Sequence, residues 1–291
     1  MIGFSEGFHD AAVAVVNDGK ICYATHSERY SKIKHDKHLD ITAASTAQLL
    51  CHDGKIAFYE RPWLKRTRQL FAGQKAWYRP RHLSLKPTQY YSHHKSHAAA
   101  AFQTSPFDEA AIVVVDSIGE WDTTSIWTAE YKDGKAVYKK RWSQWYPQSI
   151  GLWYSALTKW AGLRPLDEEY IFMGMAGFGN PVHMNVVERQ LHKNNHKGAR
   201  IGDYDKCDIA KSAERILQLE LNNIFARAST YSKNICYGGG VALNCVVNTG
   251  LREMYNMWIM PCPGDAGGAL GAACLAYGGK VDFSPYLGYN I

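Results

Sequence analysis

Two histidines four residues apart carry the clearest chemistry in this chain. The string Ser92-His93-His94-Lys95-Ser96-His97 runs into Ala98-Ala99-Ala100-Ala101-Phe102. Alanines propagate a helix at little cost, and Ser92 is a fitting residue for its N-cap. Spacing i,i+4 places His93 and His97 on one helix face, near enough for their rings to share one metal ion. A histidine pair is half a site. Candidate carboxylates are Asp116, after the apolar run 111–115, and Asp265, in the loop Pro263-Gly264-Asp265-Ala266-Gly267-Gly268. A small-residue helix follows that loop, so Asp265 would lie near the positive end of the helix dipole and stay ionised. Two neutral imidazoles with carboxylates suit iron, manganese or zinc better than calcium. Plainer readings of the same residues are a solvated or core histidine pair and an aspartate that merely caps a helix.

The elements that must position these residues follow an internal repeat. The first copy reads Ile2-Gly3-Phe4-Ser5-Glu6-Gly7-Phe8-His9-Asp10, then an apolar run, then Asn17-Asp18-Gly19-Lys20, then Ile21-Cys22-Tyr23. The second reads Val113-Val114-Val115-Asp116-Ser117-Ile118-Gly119-Glu120-Trp121-Asp122, then a strand-like run, then Lys132-Asp133-Gly134-Lys135, then Ala136-Val137-Tyr138. Each predicts strand, polar turn, strand, Asp-Gly turn, strand, and Asp-Gly is a strong hairpin signal. The order predicts a duplicated lobe. In both copies the first turn contains glycine (Gly7, Gly119), which lets backbone N–H groups approach a phosphate. Further on, Ile235-Cys236-Tyr237 reads as a strand, Gly238-Gly239-Gly240 as a turn and Val241-Ala242-Leu243-Asn244 as the opening of a helix, an arrangement common around nucleotides.

Composition narrows the classes. With 291 residues, 46% hydrophobic and 13% aromatic, the chain is globular rather than disordered. Its net charge of +6 is mild. Basic clusters at 61–68 and 79–86, interleaved with Trp63, Trp77 and Tyr78, read as a solvated face near a polyanionic ligand rather than as a nucleic-acid surface. Seven cysteines without a CxxC pair read as buried free thiols of a reducing compartment. No signal peptide precedes the first strand, and no apolar run approaches transmembrane length. The expectation is a cytoplasmic protein.

Duplicated hairpins with phosphate-turn character and a later glycine-rich loop describe an actin-like ATPase architecture, an α/β fold of two lobes expected at 1–108 and 109–291. The chain resembles the N-terminal, actin-like domain of the O-carbamoyltransferases of nodulation and antibiotic tailoring, the NodU/CmcH/TobZ family. The resemblance rests on Gly7-Phe8-His9-Asp10-Ala11-Ala12, Ser27-Glu28-Arg29-Tyr30-Ser31-Lys32-Ile33-Lys34-His35, Tyr59-Glu60-Arg61-Pro62-Trp63-Leu64-Lys65, His93-His94-Lys95-Ser96-His97-Ala98-Ala99, Gly119-Glu120-Trp121 with Thr123-Thr124-Ser125-Ile126-Trp127, Met173-Gly174-Met175-Ala176, Gly239-Gly240-Val241-Ala242-Leu243-Asn244 and Pro263-Gly264-Asp265-Ala266-Gly267. It covers nearly the whole chain.

The resemblance implies transfer of a carbamoyl group from carbamoyladenylate to a hydroxyl of a small acceptor, with bound iron (Fe2+) or another divalent metal. It implies His93, His97, Asp116 and Asp265 as metal ligands and His9 as base near the acceptor hydroxyl. Lys34 would contact the carbamoyl or phosphate end. Gly7 and Gly119 would face the phosphates, and Gly239, Gly240 and Asn244 the adenosine of ATP or carbamoyladenylate. Family members carry a C-terminal YrdC-like domain that makes carbamoyladenylate. This chain stops about where their first domain ends, which leaves three readings: a separate YrdC-like protein is the partner, the chain is a fragment, or the protein has been repurposed. Two departures from the family pattern stand out: Ser117 where relatives usually have glycine after the aspartate, and Ile171 where they often carry lysine. The alternatives are an enzyme of the tRNA threonylcarbamoyl-transferase branch and a non-catalytic nucleotide-binding protein.

Overall fold

The computed structural model describes residues 1–74, 85–284 and 286. Most of the expected 79–86 basic cluster, with Trp77 and Tyr78, lies outside the described residues.

Two five-stranded sheets form the frame. The first contains β1 (Ile2–Ser5), β2 (Ala12–Asn17), β3 (Lys20–His26), β4 (Ile56–Phe58) and β5 (Gln89–Tyr90). The second contains β6 (Glu109–Gly119), β7 (Asp122–Lys132), β8 (Lys135–Trp145), β9 (Asn234–Gly238) and β10 (Asn256–Ile259). Their orders are β3-β2-β1-β4-β5 and β10-β9-β6-β7-β8. These are the same arrangement: an antiparallel three-strand meander whose first strand then pairs in parallel with a later strand, and that one with the next. The repeat read from the sequence is therefore a structural duplication. Its two Asp-Gly turns match as well, since Asp18, Gly19, Asp133 and Gly134 all take positive φ, as a tight hairpin turn of two left-handed residues requires.

Helices cover both sheets. α1 (Glu28–Ser31), α2 (Ile41–Leu50), α3 (Pro62–Phe71) and α4 (His93–Gln103) belong to the first copy. α5 (Ile150–Trp160), α6 (Glu169–Met175), α7 (Met184–Leu191), α8 (Lys206–Ser229), α9 (Cys245–Met254) and α10 (Asp265–Tyr277) belong to the second. Strands between such layers are buried on both faces and read as continuous apolar runs. Along β6, Ala111, Val113 and Val115 pack into the core beneath α5 and α8. Ala110, Ile112 and Val114 face Ala98, Ala101 and Phe102 of α4. That is the two-residue alternation of a strand buried on both sides.

The last helix of each copy crosses to the other. α4 packs on β6 and β9 of the second sheet, whereas α10 packs on β1, β2 and β4 of the first, and the two helices lie against each other. Their contact is backbone to backbone. A Cβ on Gly271 would fall 1.8 Å from the carbonyl oxygen of Ser96, so only glycine fits there. This explains the small-residue run after Asp265, because the helix must approach α4 closely enough for its first residue to reach the α4 histidines.

Several local expectations are corrected. The polar turn of the second repeat is much shorter than expected. β6 continues through Asp116 to Gly119, which pairs with Asp122, and only Glu120 and Trp121 turn. The helix expected at Val241 begins as a 3-10 turn over Gly240–Leu243, and α9 starts at Cys245 with Asn244 as its N-cap. Of the seven cysteines, all free, only Cys236 and Cys274 are buried, while Cys22 and Cys245 are exposed. Basic residues 61–68 are not simply a solvated face. Lys65 and Arg68 are buried on the inner side of α3, Lys65 against Glu60 and Arg68 against the carbonyl of Glu120. No helix among the described residues is long and apolar enough to cross a membrane.

Candidate metal centre and its surroundings

The crossed helices bring their first residues together. His93 and Asp265 are the N-terminal residues of α4 and α10, equivalent positions in the two copies. His97 follows one turn along α4. Asp116 comes from β6, just beyond the stretch of that strand paired with β9. One donor atom from each of these four residues lies within 4.8 Å of all the others, and all four residues are buried.

The distances are those of a ligand shell. His93 Nε2 is 2.9 Å from Asp116 Oδ2, 3.0 Å from His97 Nε2 and 3.3 Å from Asp265 Oδ1. His97 Nε2 is 3.3 Å from Asp265 Oδ1 and 3.6 Å from Asp116 Oδ2. Donors bound about 2.1 Å from one ion in tetrahedral or octahedral geometry stand about 3.0–3.4 Å apart. Two imidazole nitrogens facing each other, closed in by two carboxylates, make a donor set that a divalent ion fits.

The four groups also shift one another's proton affinities. Burial alone would lower the pKa of both histidines. For His93, Asp265 and hydrogen bonds to Asp116, Asp265 and Glu60 outweigh it and hold the imidazole well above its ordinary value. For His97, hydrogen bonds to Asp116 and Asp265 likewise raise it. Burial would raise both carboxylates, yet the histidines hold Asp116 and Asp265 well below the usual range. His94, adjacent in sequence, goes the other way. Burial and the neighbouring His93 push it well below its ordinary value, and its Nδ1 pairs with Ser125 Oγ at 2.7 Å.

A second layer fixes the ligands. Glu60 Oε2 lies 3.5 Å from His93 Nδ1, and Tyr59 packs its ring against His93. Carboxylates behind a ligating histidine orient the ring and raise its basicity. The backbone N–H groups of Ser117 and Gly240 donate to Asp116 Oδ1 at 2.8 and 3.3 Å. Ser117 thus meets Asp116 through its backbone N–H. Ser92 occupies the N-cap position of α4 but makes no side-chain cap. Instead Glu120 accepts from the His93 N–H at 3.4 Å. Glu120 itself is held by the backbone and guanidinium of Arg61, at 2.7 Å to each.

The remaining expected residues fall at different places. His9, in the β1–β2 turn with Gly7, presents Nε2 3.6 Å from Asp265 Oδ2. Gly119 lies under His93 and His94, where a Cβ would come 2.4 Å from the His93 ring and 2.6 Å from that of His94. Gly239 takes φ +91°, and a Cβ there would meet the Val115 carbonyl at 2.3 Å. Gly240 adjoins Asp116. The Asn244 side chain caps α9 by accepting from Val247 N–H at 3.1 Å. Lys34 is over half exposed and pairs with Asp167. Ile171 sits half-buried on α6.

Sequence reasoning missed Asp10, His35, Glu60, Glu120 and Asp167. Asp10 accepts from His9 Nδ1 at 2.7 Å and from His35 Nδ1 at 2.8 Å. Asp10 and His35 stood beside His9 and Lys34 in the quoted motifs, and that adjacency was the available signal. Asp167 had none, because Lys34 and His35, the partners that tie it to the site, are more than a hundred residues away in sequence.

Comparison with known proteins follows the same outline. The structure superposes on component A of the (R)-2-hydroxyglutaryl-CoA dehydratase of Acidaminococcus fermentans with a TM-score of 0.53 at 15% identity, covering 95% of this chain and 97% of that one. It superposes on HypF of T. kodakarensis with a TM-score of 0.51 at 13% identity, covering 94% of this chain and 47% of that one. At these identities the likeness is one of fold, and the fold is actin-like. In sequence, the chain is 31% identical to the uncharacterized protein sll1178 of Synechocystis sp., across 94% of this chain and 56% of that protein. It is 24% identical to nodulation protein NolNO of Sinorhizobium fredii, across 92% of this chain and 46% of that protein. The chain thus spans about half the length of these relatives. The family model described as the carbamoyltransferase N-terminus matches residues 55–200 and 195–274, which include every residue of the buried cluster. With the duplicated fold and that cluster in place, the chain belongs to the carbamoyltransferase N-terminal family.

Proposed function

We propose that this chain transfers a carbamoyl group from carbamoyladenylate to the hydroxyl of a small acceptor, in the cleft where the two copies meet. The observation that carries the reading is the junction of α4, α10 and β6, where four buried ligand atoms converge with the imidazole of His9 beside them. His93, His97, Asp116 and Asp265 hold a divalent ion, iron in this reading. Such an ion, when bound, supplies Lewis-acid polarisation of the carbamoyl carbonyl or of the departing phosphate.

The chain's own residues do the rest. Asp10 accepts from His9 Nδ1, which leaves Nε2 as the basic nitrogen. Burial works against protonation of His9, but Asp265 and Asp10 prevail and raise its pKa. An imidazole held between carboxylates takes a proton from an alcohol and keeps it while the carbamoyl carbon is attacked. Gly7, Gly239 and Gly240 leave backbone approachable for phosphate and adenosine, with Asn244 and Gly119 setting the local backbone at either side. Lys34 exchanges Asp167 for the phosphate or carbamoyl end of the donor.

The test is direct. The chain loaded with ferrous iron is mixed with preformed carbamoyladenylate and a panel of hydroxylated small molecules, and products are read by mass spectrometry. A carbamoylated acceptor that vanishes in His9→Gln and in His97→Ala supports the reading. A panel without product, or product at the wild-type rate in both variants, overturns it.

A further inference from the structure

A line of side chains leads from the buried cluster to the far side of the cleft. His9 Nε2 faces Asp265, and its Nδ1 donates to Asp10 Oδ2 at 2.7 Å. The other oxygen of Asp10 accepts from His35 Nδ1 at 2.8 Å. His35 Nε2 lies 3.4 Å from Asp167 Oδ1. His9, Asp10 and His35 belong to the first copy. Asp167 belongs to the segment between α5 and α6 of the second, where Arg164 and Lys34 also pair with it.

The backbone commits to this arrangement. Asp10 and His35 both take left-handed φ, of 52° and 56°, a conformation uncommon for residues other than glycine. The His35 N–H is tied to Glu28 Oε2 at 3.1 Å. One carboxylate is therefore clamped between two imidazoles, and the outer imidazole lies between two carboxylates, one from each copy. The turn is tied to the segment after His35 by the backbone as well, Gly7 N–H to the Lys37 carbonyl at 2.6 Å and Ala11 N–H to the Asp36 carbonyl at 2.7 Å, so the reach of His35 across to Asp167 is additional to what holds the turn.

We propose that Asp167 is a positioning residue for His9, acting through His35 and Asp10, so that the His9 ring is oriented for reaction only when the two copies are closed on each other. This rests on the reading of His9 as the base. With Asp167 engaged, His35 holds one oxygen of Asp10, and the other oxygen fixes His9 with its proton on Nδ1 and its Nε2 towards the cleft. With the copies apart, His35 loses Asp167, its hold on Asp10 is no longer braced from the second copy, and the His9 ring samples other orientations and tautomers.

The experiment has two arms. In the first, long-range 15N spectra of the histidine rings of the full chain are recorded for wild type, Asp10→Asn, Asp167→Asn and Arg164→Gln, with His9 assigned by its loss in His9→Gln. The expected result is an Nδ1-protonated His9 in wild type and in Arg164→Gln. Its two nitrogen shifts should converge in Asp10→Asn and in Asp167→Asn, and recover in Asp167→Glu. A His9 ring unchanged by Asp167→Asn, or changed as much by Arg164→Gln, overturns the proposal. In the second arm, transfer from supplied carbamoyladenylate should show kcat about 10-fold lower in Asp167→Asn with KM for the acceptor unchanged, within the roughly 10- to 100-fold range of outer-sphere orienting groups. A KM effect alone overturns the positioning role. If wild type transfers nothing, the reading of the function fails while the ring spectra still decide whether Asp167 orients His9.

Discussion

His97 can be removed without touching the sheets, because its ring contributes to the cluster rather than to an apolar core. His97→Ala is expected to lower affinity for divalent metal by more than the about 10- to 100-fold seen for outer-sphere partners, with the fold retained. Metal content by elemental analysis, beside a circular dichroism spectrum, checks both halves. The protonation state of the cluster gives a second prediction. In the metal-free chain the folded pKa values of His93 and His97 are raised above 6.5. Their stabilisation is present in full below 6.5 and is lost as pH rises through those raised values. Asp116 and Asp265 are lowered below 3.8, so theirs is present above 3.8 and lost as the pH falls through those lowered values. The cluster therefore stabilises the metal-free fold most between these limits. An ion must displace the histidine protons, so its affinity should rise with pH, by up to about 100-fold per unit while two protons are released. Melting temperatures of chelated protein and metal titrations across pH should move in opposite directions above neutrality. Parallel curves would contradict the ligand set.

Each copy lends the other its last helix, and that exchange places the ligands. α4 and α10 meet with backbone against backbone, and their first residues are His93 and Asp265 of the candidate ligand set. Gly271→Ala is therefore expected to act on the site from within the helix pair. Its methyl would meet the Ser96 carbonyl at 1.8 Å, so the helices must separate. A loss of at least about 3 kcal/mol is expected, at or above the upper range for overpacked cores, together with weaker metal binding. Urea denaturation and metal titration of the same preparation measure the two effects. An unchanged variant would mean that α10 can shift without moving Asp265. Amphipathic patterning could not announce this pair, since helices buried all round carry no polar stripe.

At the scale of the molecule, the described residues contain one cluster of metal-ligating side chains, and the relatives are about twice as long. Making carbamoyladenylate from ATP and carbamoyl phosphate is a separate reaction that needs its own site. The 291-residue chain, purified as such, is expected to form no carbamoylated product from those two compounds and an acceptor. Adding a YrdC-like protein, or carbamoyladenylate itself, should produce it. Product above background from the purified chain alone would show that the cleft performs both steps.

Local patterning determined much of this protein. Apolar runs and Asp-Gly turns gave both meanders, because hairpin turns need left-handed residues wherever they occur. The i,i+4 spacing gave the histidine pair, because helix geometry fixes it. Residue type singled out Asp116 and Asp265, since carboxylates beside glycine-rich turns and strand ends are few. Tertiary structure decided the rest. Only the crossing of α4 and α10 brings residues 93 and 265 within 3.3 Å. Only β6 running on past its apolar stretch turned an expected phosphate loop into the floor beneath His93 and His94. Glu60, Glu120 and Asp167 joined the surroundings of the site because oppositely charged or polar partners, distant along the chain, meet there. Which carboxylate a buried histidine or guanidinium finds depends on how the layers pack, and no local propensity encodes that choice.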